Sequence, residues 1–273
     1  MSLKFDTIGY WTELKLEIIE KYAKAYSAIM SSKKLHHVYI DAFAGAGTHI
    51  SKATGEHVRG SPQIALDIKP SFEEYYFIDI DSDKVDELNR IADGRSQVKV
   101  FHGDCNNILL NEVFPKVSYK DYRRGLCLLD PYGLHLDWKV IETAGQMKTI
   151  DLFLNFPVAD MNRNVLWRDF QGVDPADIER MNAYWGDDSW MKIAYSKPNL
   201  FNLLWKEDNE VIAAAFQKRL QKVAGFNYVA NPLPMKNSRD AVVYYLFFAS
   251  QQKLAKDIHG DIISRIFKTY RRD

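Results

Sequence analysis

The chain has 273 residues, 47% of them hydrophobic, with 36 Lys or Arg balanced by 36 Asp or Glu. That much apolar material builds one large core, or a core with a small appended unit, and excludes a disordered chain. Cys105 and Cys127 are the only cysteines, which leaves neither a disulfide framework nor a paired-cysteine metal motif. Met1 to Asp6 show no signal-peptide pattern, and no apolar run reaches the length a bilayer requires. The expectation is therefore a cytoplasmic protein with no membrane association.

In chain order, Leu14, Ile18, Tyr22, Tyr26 and Ile29 recur at helical spacing between Trp11 and Met30, predicting an amphipathic helix. Tyr39-Ile40-Asp41 then closes a strand that runs into Ala42-Phe43-Ala44-Gly45-Ala46-Gly47. Two glycines one residue apart let backbone approach a nucleotide-like ligand where any Cβ would collide, so this turn reads as a cofactor seat. Thr48 to Gly60 reads as a long polar loop over that turn, ended by Ser61-Pro62 at a helix start. Strands are predicted at Glu74 to Asp79, Val98 to His102, Leu126 to Asp130 and Asp151 to Phe156, alternating with helices at 83–92, 106–114 and 138–148. Such alternation with short links implies a parallel sheet covered on both faces.

From Pro157 to about Gly225 the rhythm gives way to Trp-rich, charged helical segments, read as an insertion. Trp167, Trp185, Trp190 and Trp205 form its small core, with base stacking as the competing use. Two closing strands, Phe226 to Ala230 and Ala241 to Ser250, are joined through Pro232 and Pro234, and a last helix carries Leu254, Ile258, Ile262 and Ile266. The division expected is 1–157 with 226–273 as a Rossmann-like unit, and 158–225 as the insertion. Between Ile212 and Arg272 there are eleven Lys or Arg against three Asp or Glu. Lys218, Arg219, Lys222, Lys236 and Arg239 thus become candidates for phosphate contact, with a solvated helix face as the alternative.

Several acids close strands. Asp79 ends an apolar run and is the preferred ligand of the trio Asp79, Asp81 and Asp83, one of which caps the following helix. Asp104, in Gly103-Asp104-Cys105, stands evenly between ligand and cap. The histidines show no zinc-like spacing, so no metal is expected.

Parallel strands followed by an antiparallel pair, with acids at the ends of the second and third, resemble the class I S-adenosylmethionine-dependent methyltransferases. The resemblance implies a seven-stranded sheet of order 3-2-1-4-5-7-6. It implies that Asp41, Phe43, Ala44, Gly45 and Gly47 seat S-adenosylmethionine, that Asp79 takes the ribose hydroxyls, and that Asp104 and Cys105 lie by the adenine. Asp41 to Gly47, Gly60-Ser61-Pro62, Gly103 to Asn106, Asp130-Pro131-Tyr132-Gly133 and Asn155-Phe156-Pro157 together resemble the three-Cys-motif partner (TcmP) family. That likeness implies a winged-helix-like insertion and a three-cysteine-motif protein as partner. Asp130, Pro131 and Tyr132 stand where base-directed amino-methyltransferases carry D-P-P-Y, implying a catalytic acceptor, a rigid turn and a stacking ring. The pattern's second proline is missing, with Gly133 following Tyr132, so a strand-capping Asp130 and a Tyr132 that lines the cofactor pocket remain the alternative. The function expected is N-methylation of a DNA or RNA base. The rival is a cofactor-binding interaction protein that transfers nothing.

Overall fold

The computed structural model describes residues 6–168, 170–196 and 205–270. A short strand β1 (Thr7–Ile8) leads into helix α1 (Tyr10–Ser32), which buries Leu14, Ile18, Ile19, Tyr22 and Tyr26 along one stripe. The first sheet strand, β2 (His36–Asp41), is followed by a hairpin of β3 (Thr48–Ser51) and β4 (His57–Arg59), then α2 (Ser61–Asp67). Strand and helix next alternate through β5 (Glu74–Asp79), α3 (Ser82–Ala92), β6 (Val98–His102), α4 (Cys105–Ile108), β7 (Arg123–Leu129), α5 (Trp138–Met147) and β8 (Ile150–Phe156). The next segment holds α6 (Val158–Asn164), α7 (Pro175–Trp185), α8 (Trp190–Ala194), the pair β9 (Tyr195–Ser196) and β10 (Trp205–Lys206), and α9 (Asn209–Lys222). The chain closes with β11 (Tyr228–Val229), β12 (Leu233–Lys236), β13 (Val242–Ser250) and α10 (Lys253–Tyr270).

The main sheet runs β11-β13-β8-β7-β2-β5-β6, with β12 also on β13. Strands β2, β5, β6, β7 and β8 are mutually parallel, and β13 lies antiparallel to β8. The sheet has eight strands where seven were expected, because two short segments share the edge position beside β13, both antiparallel to it. The extra strand is β12, where Pro234, with Pro232 just before it, suggests a mere connection in the sequence. Pro234 is tolerated because β12 pairs on one side only and asks no amide of that residue on the other.

Alternation along each strand divides the core. Val38, Ile40, Ile78, Cys127 and Leu129 face one cluster, and Tyr39, Tyr75, Phe77, Leu126 and Leu128 face the other. Helices α1 and α10 cover the second cluster. The first continues without a break into segment 158–225, where Tyr184, Trp185, Trp190 and Phe216 are buried against Phe156, Trp138 and Phe247. Trp185 and Trp190 are core residues, 1% and 0% exposed, while the side chain of Trp205 lies outside those described.

The expected polar loop at 48–60 is instead the β3–β4 hairpin, extended by β1 into a three-stranded sheet. It starts and ends at one point, since Gly60 N–H donates to the Gly47 carbonyl at 2.7 Å. A Cβ on Gly60 would stand 2.8 Å from Gly47 backbone, so close approach requires glycine at position 60.

Candidate functional site

Going along the chain, the sheet grows outward from β2 through β5 to β6, then restarts on the other side of β2 with β7 and β8. The crevice beyond the carboxyl ends of β2 and β7 is therefore a topological switch point, where open α/β sheets bind ligands. Two turns enter it: residues 42–47 from β2 and residues 130–133 from β7.

The first turn is shaped by Gly45 and Gly47, at φ +63° and +71°, values that disfavour any side chain. A Cβ on Gly45 would meet nothing within 4 Å, so open space lies over that backbone, whereas one on Gly47 would strike Ile91 Cδ1 at 2.4 Å. Asp79 holds the turn from the neighbouring strand. Its Oδ2 accepts Gly45 N–H at 2.8 Å and its Oδ1 accepts Asp81 N–H at 2.9 Å. Asp81 is the cap of α3, accepting from Asp83 N–H at 2.9 Å, so the capping role in the trio falls to Asp81. Directly after Asp79, Ile80 is 73% exposed, an apolar face beside a carboxylate. A lone isoleucine among acids gave no sequence signal.

Asp41 is fully buried. It accepts from Ser61 Oγ–H at 2.5 Å and from Phe43 N–H at 3.4 Å. Burial pushes its carboxyl up to about 7, against the Ser61 bond and with the nearby Asp130 adding to the rise. Its oxygens thus tie the glycine turn to the start of α2. Ala44 is likewise buried and donates its N–H to the Ile78 carbonyl at 2.9 Å. Asp104 caps α4 through Asn107 N–H at 2.9 Å and remains exposed. Cys105 beneath it is buried, its thiol pushed up to about 12 by burial and then by Asp104, an inert rather than a reactive sulfur.

The second turn places Asp130 between two partners, Lys15, which the sequence did not single out, and Asn155 of the Asn155-Phe156-Pro157 motif. Lys15 of α1 forms an ion pair with Oδ2, and Asn155 Nδ2 of β8 donates to Oδ1 at 2.7 Å. Lys15 is buried; burial opposes its charge, but Asp130, with Tyr244 and Asp41, outweighs it and raises its pKa. The ammonium also stands 5.6 Å from the Tyr244 ring centre, over its face. His49 of the hairpin shares this field: burial and then Lys15 lower its pKa, while Asp6 and Asp130 oppose. Its Nδ1 has no hydrogen-bond partner among the described residues. Lys15 looked like one more polar residue on an amphipathic helix, and nothing in the spacing paired it with a residue 115 positions on.

Pro131 is buried, but the Tyr132 ring stands 89% exposed. Gly133, at φ +64°, lies against Asp160, where a Cβ would meet Oδ2 at 2.8 Å. Asp130, Asp41 and the glycine turn are thus gathered at one end of the sheet.

The basic region resolves less favourably. Arg219 donates from Nε to the Trp185 carbonyl at 2.6 Å and from Nη2 to Asp187 at 2.7 Å, with its guanidinium over the Trp138 ring. It is a packing residue, which corrects its place among phosphate contacts. Lys236 is bonded to Asp240. Lys218, Lys222 and Arg239 are exposed.

No protein-family model matches the chain, and no curated protein is similar to it in sequence. Among solved structures it is similar to LPL1258 of Legionella pneumophila, a protein of the DUF519 family, with 11% identity and a TM-score of 0.50 over 93% of this chain and 92% of that one. The two share a fold. Looser likenesses include the methyltransferase domain of bacterial CtHen1, with 11% identity and a TM-score of 0.40 over 85% and 99% of the two chains. Another is an O-methyltransferase family protein of Burkholderia thailandensis, with 13% identity and a TM-score of 0.36 over 86% and 57%. Among the described residues no helix is long and apolar enough to cross a membrane.

Proposed function

We propose that the chain is an S-adenosylmethionine-dependent methyltransferase acting on a nitrogen of a nucleic-acid base. One juxtaposition carries this reading. At the switch point, an open glycine turn braced by Asp79 stands beside a turn that offers an acceptor, Asp130, and a bare aromatic ring, Tyr132.

The residues fit the cofactor. The space above Gly45 is what a Cβ would fill, and Asp79 keeps lone pairs beyond the two amides it accepts, as ribose hydroxyls require. Ile80 supplies an apolar face for a base. S-adenosylmethionine would supply a methyl group already activated on a sulfonium, so the protein's task is proximity and orientation. Asp130 would accept an N–H of the acceptor amine on the lone pairs left free by Lys15 and Asn155, and these two fix its carboxylate. Tyr132 would stack on the base. Lys218, Lys222 and Arg239 remain candidates for phosphate contact.

Calorimetry with S-adenosylmethionine and S-adenosylhomocysteine tests the cofactor, and Asp79→Ala should weaken binding ten- to a hundredfold, equivalent to roughly 1.5 to 3 kcal/mol for charge-assisted bonds. Incorporation of labelled methyl into DNA and RNA pools tests transfer. Asp130→Asn should abolish incorporation while leaving cofactor affinity nearly intact. Absence of cofactor binding would overturn the reading.

A second reading, a cofactor-binding protein that serves a three-cysteine-motif partner without transfer, is favoured by the engagement of both Asp130 oxygens. Tight cofactor binding with no incorporation into any pool would select it.

A further inference from the structure

A cavity of about 170 Å³ opens at the opposite edge of the sheet, where β7 and β8 begin, with α1 and α10 alongside. Its wall is apolar, with Met30 and Ile258 among the lining residues, while polar groups are also present. Asp151, 8% exposed, accepts from Tyr22 O–H at 2.7 Å and from Ser250 O–H at 2.5 Å. Among the described residues no lysine or arginine forms an ion pair with it. Burial pushes its carboxyl up to about 6, against the Ser250 and Tyr22 bonds, so it is mostly ionised at neutral pH. Gln251, 9% exposed, donates its amide hydrogens to the Gly145 and Gly225 carbonyls at 2.9 Å each, leaving Oε1 with no partner.

A buried carboxylate bonded only to neutral hydroxyls and lacking a counter-charge is costly until a cation meets it. The exposed Lys33 and Lys148 also line the cavity, as does Arg124, whose guanidinium lies over the Tyr119 ring at 4.3 Å. None of these three cations is ion-paired with an acid among the described residues. The cavity thus combines buried acceptors, an apolar wall and cations that reach solvent.

We infer that this cavity binds a small zwitterion, an amino acid with an apolar body, its ammonium on Asp151 and its carboxylate toward Arg124, Lys33 and Lys148. A cavity of this size holds a body comparable to benzene, which suits six or so apolar atoms. A simple amine would face three cations, and a simple carboxylate would leave Asp151 without a counter-charge. The site lies apart from the glycine turn and is independent of the methyl-transfer reading.

Titration calorimetry and thermal unfolding of the full chain with 6-aminohexanoate, leucine, hexylamine and hexanoate test it. At least one amino acid should bind and raise Tm, with hexylamine and hexanoate at least tenfold weaker. Tighter binding of 6-aminohexanoate places the two charges far apart, and tighter binding of leucine places them on one carbon. Asp151→Asn and Arg124→Met should each weaken the amino acid at least tenfold. Should Asp151→Asn fail to fold, Arg124→Met and Lys148→Ala, both at solvent-reaching positions, decide the matter. Equal binding of hexanoate or hexylamine, no binding by any probe, or wild-type affinity in the folded variants would overturn the inference.

Discussion

At the amino-terminal edge of the sheet, Glu74 accepts from Lys99 Nζ at 2.9 Å, Arg123 Nη2 at 2.8 Å and the Tyr76 hydroxyl. At the carboxyl-terminal edge, among the described residues, Asp79 accepts only backbone amides, and Asp130 has one ammonium and one amide. Glu74 is saturated by donors of its own fold, and they hold its carboxyl down to about 2 against the opposing effect of burial. The acids of the other edge keep acceptor capacity beside an exposed Ile80 and an exposed Tyr132. Both edges order carboxylates with the same tools, and what distinguishes the candidate site is unspent valence beside bare apolar surface. The two edges should therefore respond differently to substitution.

The largest expected effect on stability comes from Lys15→Met. It removes the ammonium from a pair whose lysine side chain is 6% exposed and whose acid is 28% exposed. Chemical denaturation should show a loss of about 2 to 3 kcal/mol, the solvent at Asp130 softening the usual cost of an unpaired buried charge. Adding Asp130→Asn should restore part of it. An additive double mutant would break the claim that the pair acts as a unit.

The next effect is a pH dependence of opposite sign at the two edges. Asp41 has a folded-state pKa near 7, above the unfolded value, so the folded chain holds its proton more tightly. Its contribution is full below about pH 4 and declines as pH rises toward 7, by on the order of 2 kcal/mol after discounting its coupling to Lys15. Glu74, with its folded value near 2, stabilises above its unfolded value and loses that contribution as pH falls through 4 toward 2. Urea melts across this range should show Asp41→Asn flattening the upper slope and Glu74→Gln the lower one.

A smaller effect separates two glycines under the same backbone strain. Gly45 and Gly55 have φ of +63° and +73°, and a Cβ on either meets nothing within 4 Å. Alanine at each should cost about 1 kcal/mol in thermal melts. Only Gly45→Ala should also weaken S-adenosylmethionine in calorimetry, and equal affinities would remove the cofactor from that turn.

Tyr132→Ala should be the mildest for the fold, within about 0.5 kcal/mol, since its ring touches mostly solvent. It should still abolish methyl incorporation while sparing cofactor affinity. Unchanged incorporation would return Tyr132 to an ordinary surface residue.

What could be read directly from the chain was whatever depends on neighbours in sequence. Short apolar runs alternating with helical stretches placed the five parallel strands, because a strand buried on both faces must be apolar almost throughout. Gly45 and Gly47 announced the turn, because only glycine readily takes those backbone angles. Asp79 was distinguishable from Asp81 because it closes the apolar run, and the helix cap fell to Asp81. The tertiary structure decided everything that joins distant positions. Lys15 with Asp130, Gly47 against Gly60, the hairpin in place of a loop, and Arg219 turned inward onto Trp138 and Trp185 each pair residues whose separation leaves no local periodicity. A charge in a sequence shows only its sign. Whether it is buried, paired or free depends on which elements pack around it, and that is fixed only when the sheet and its covering helices close.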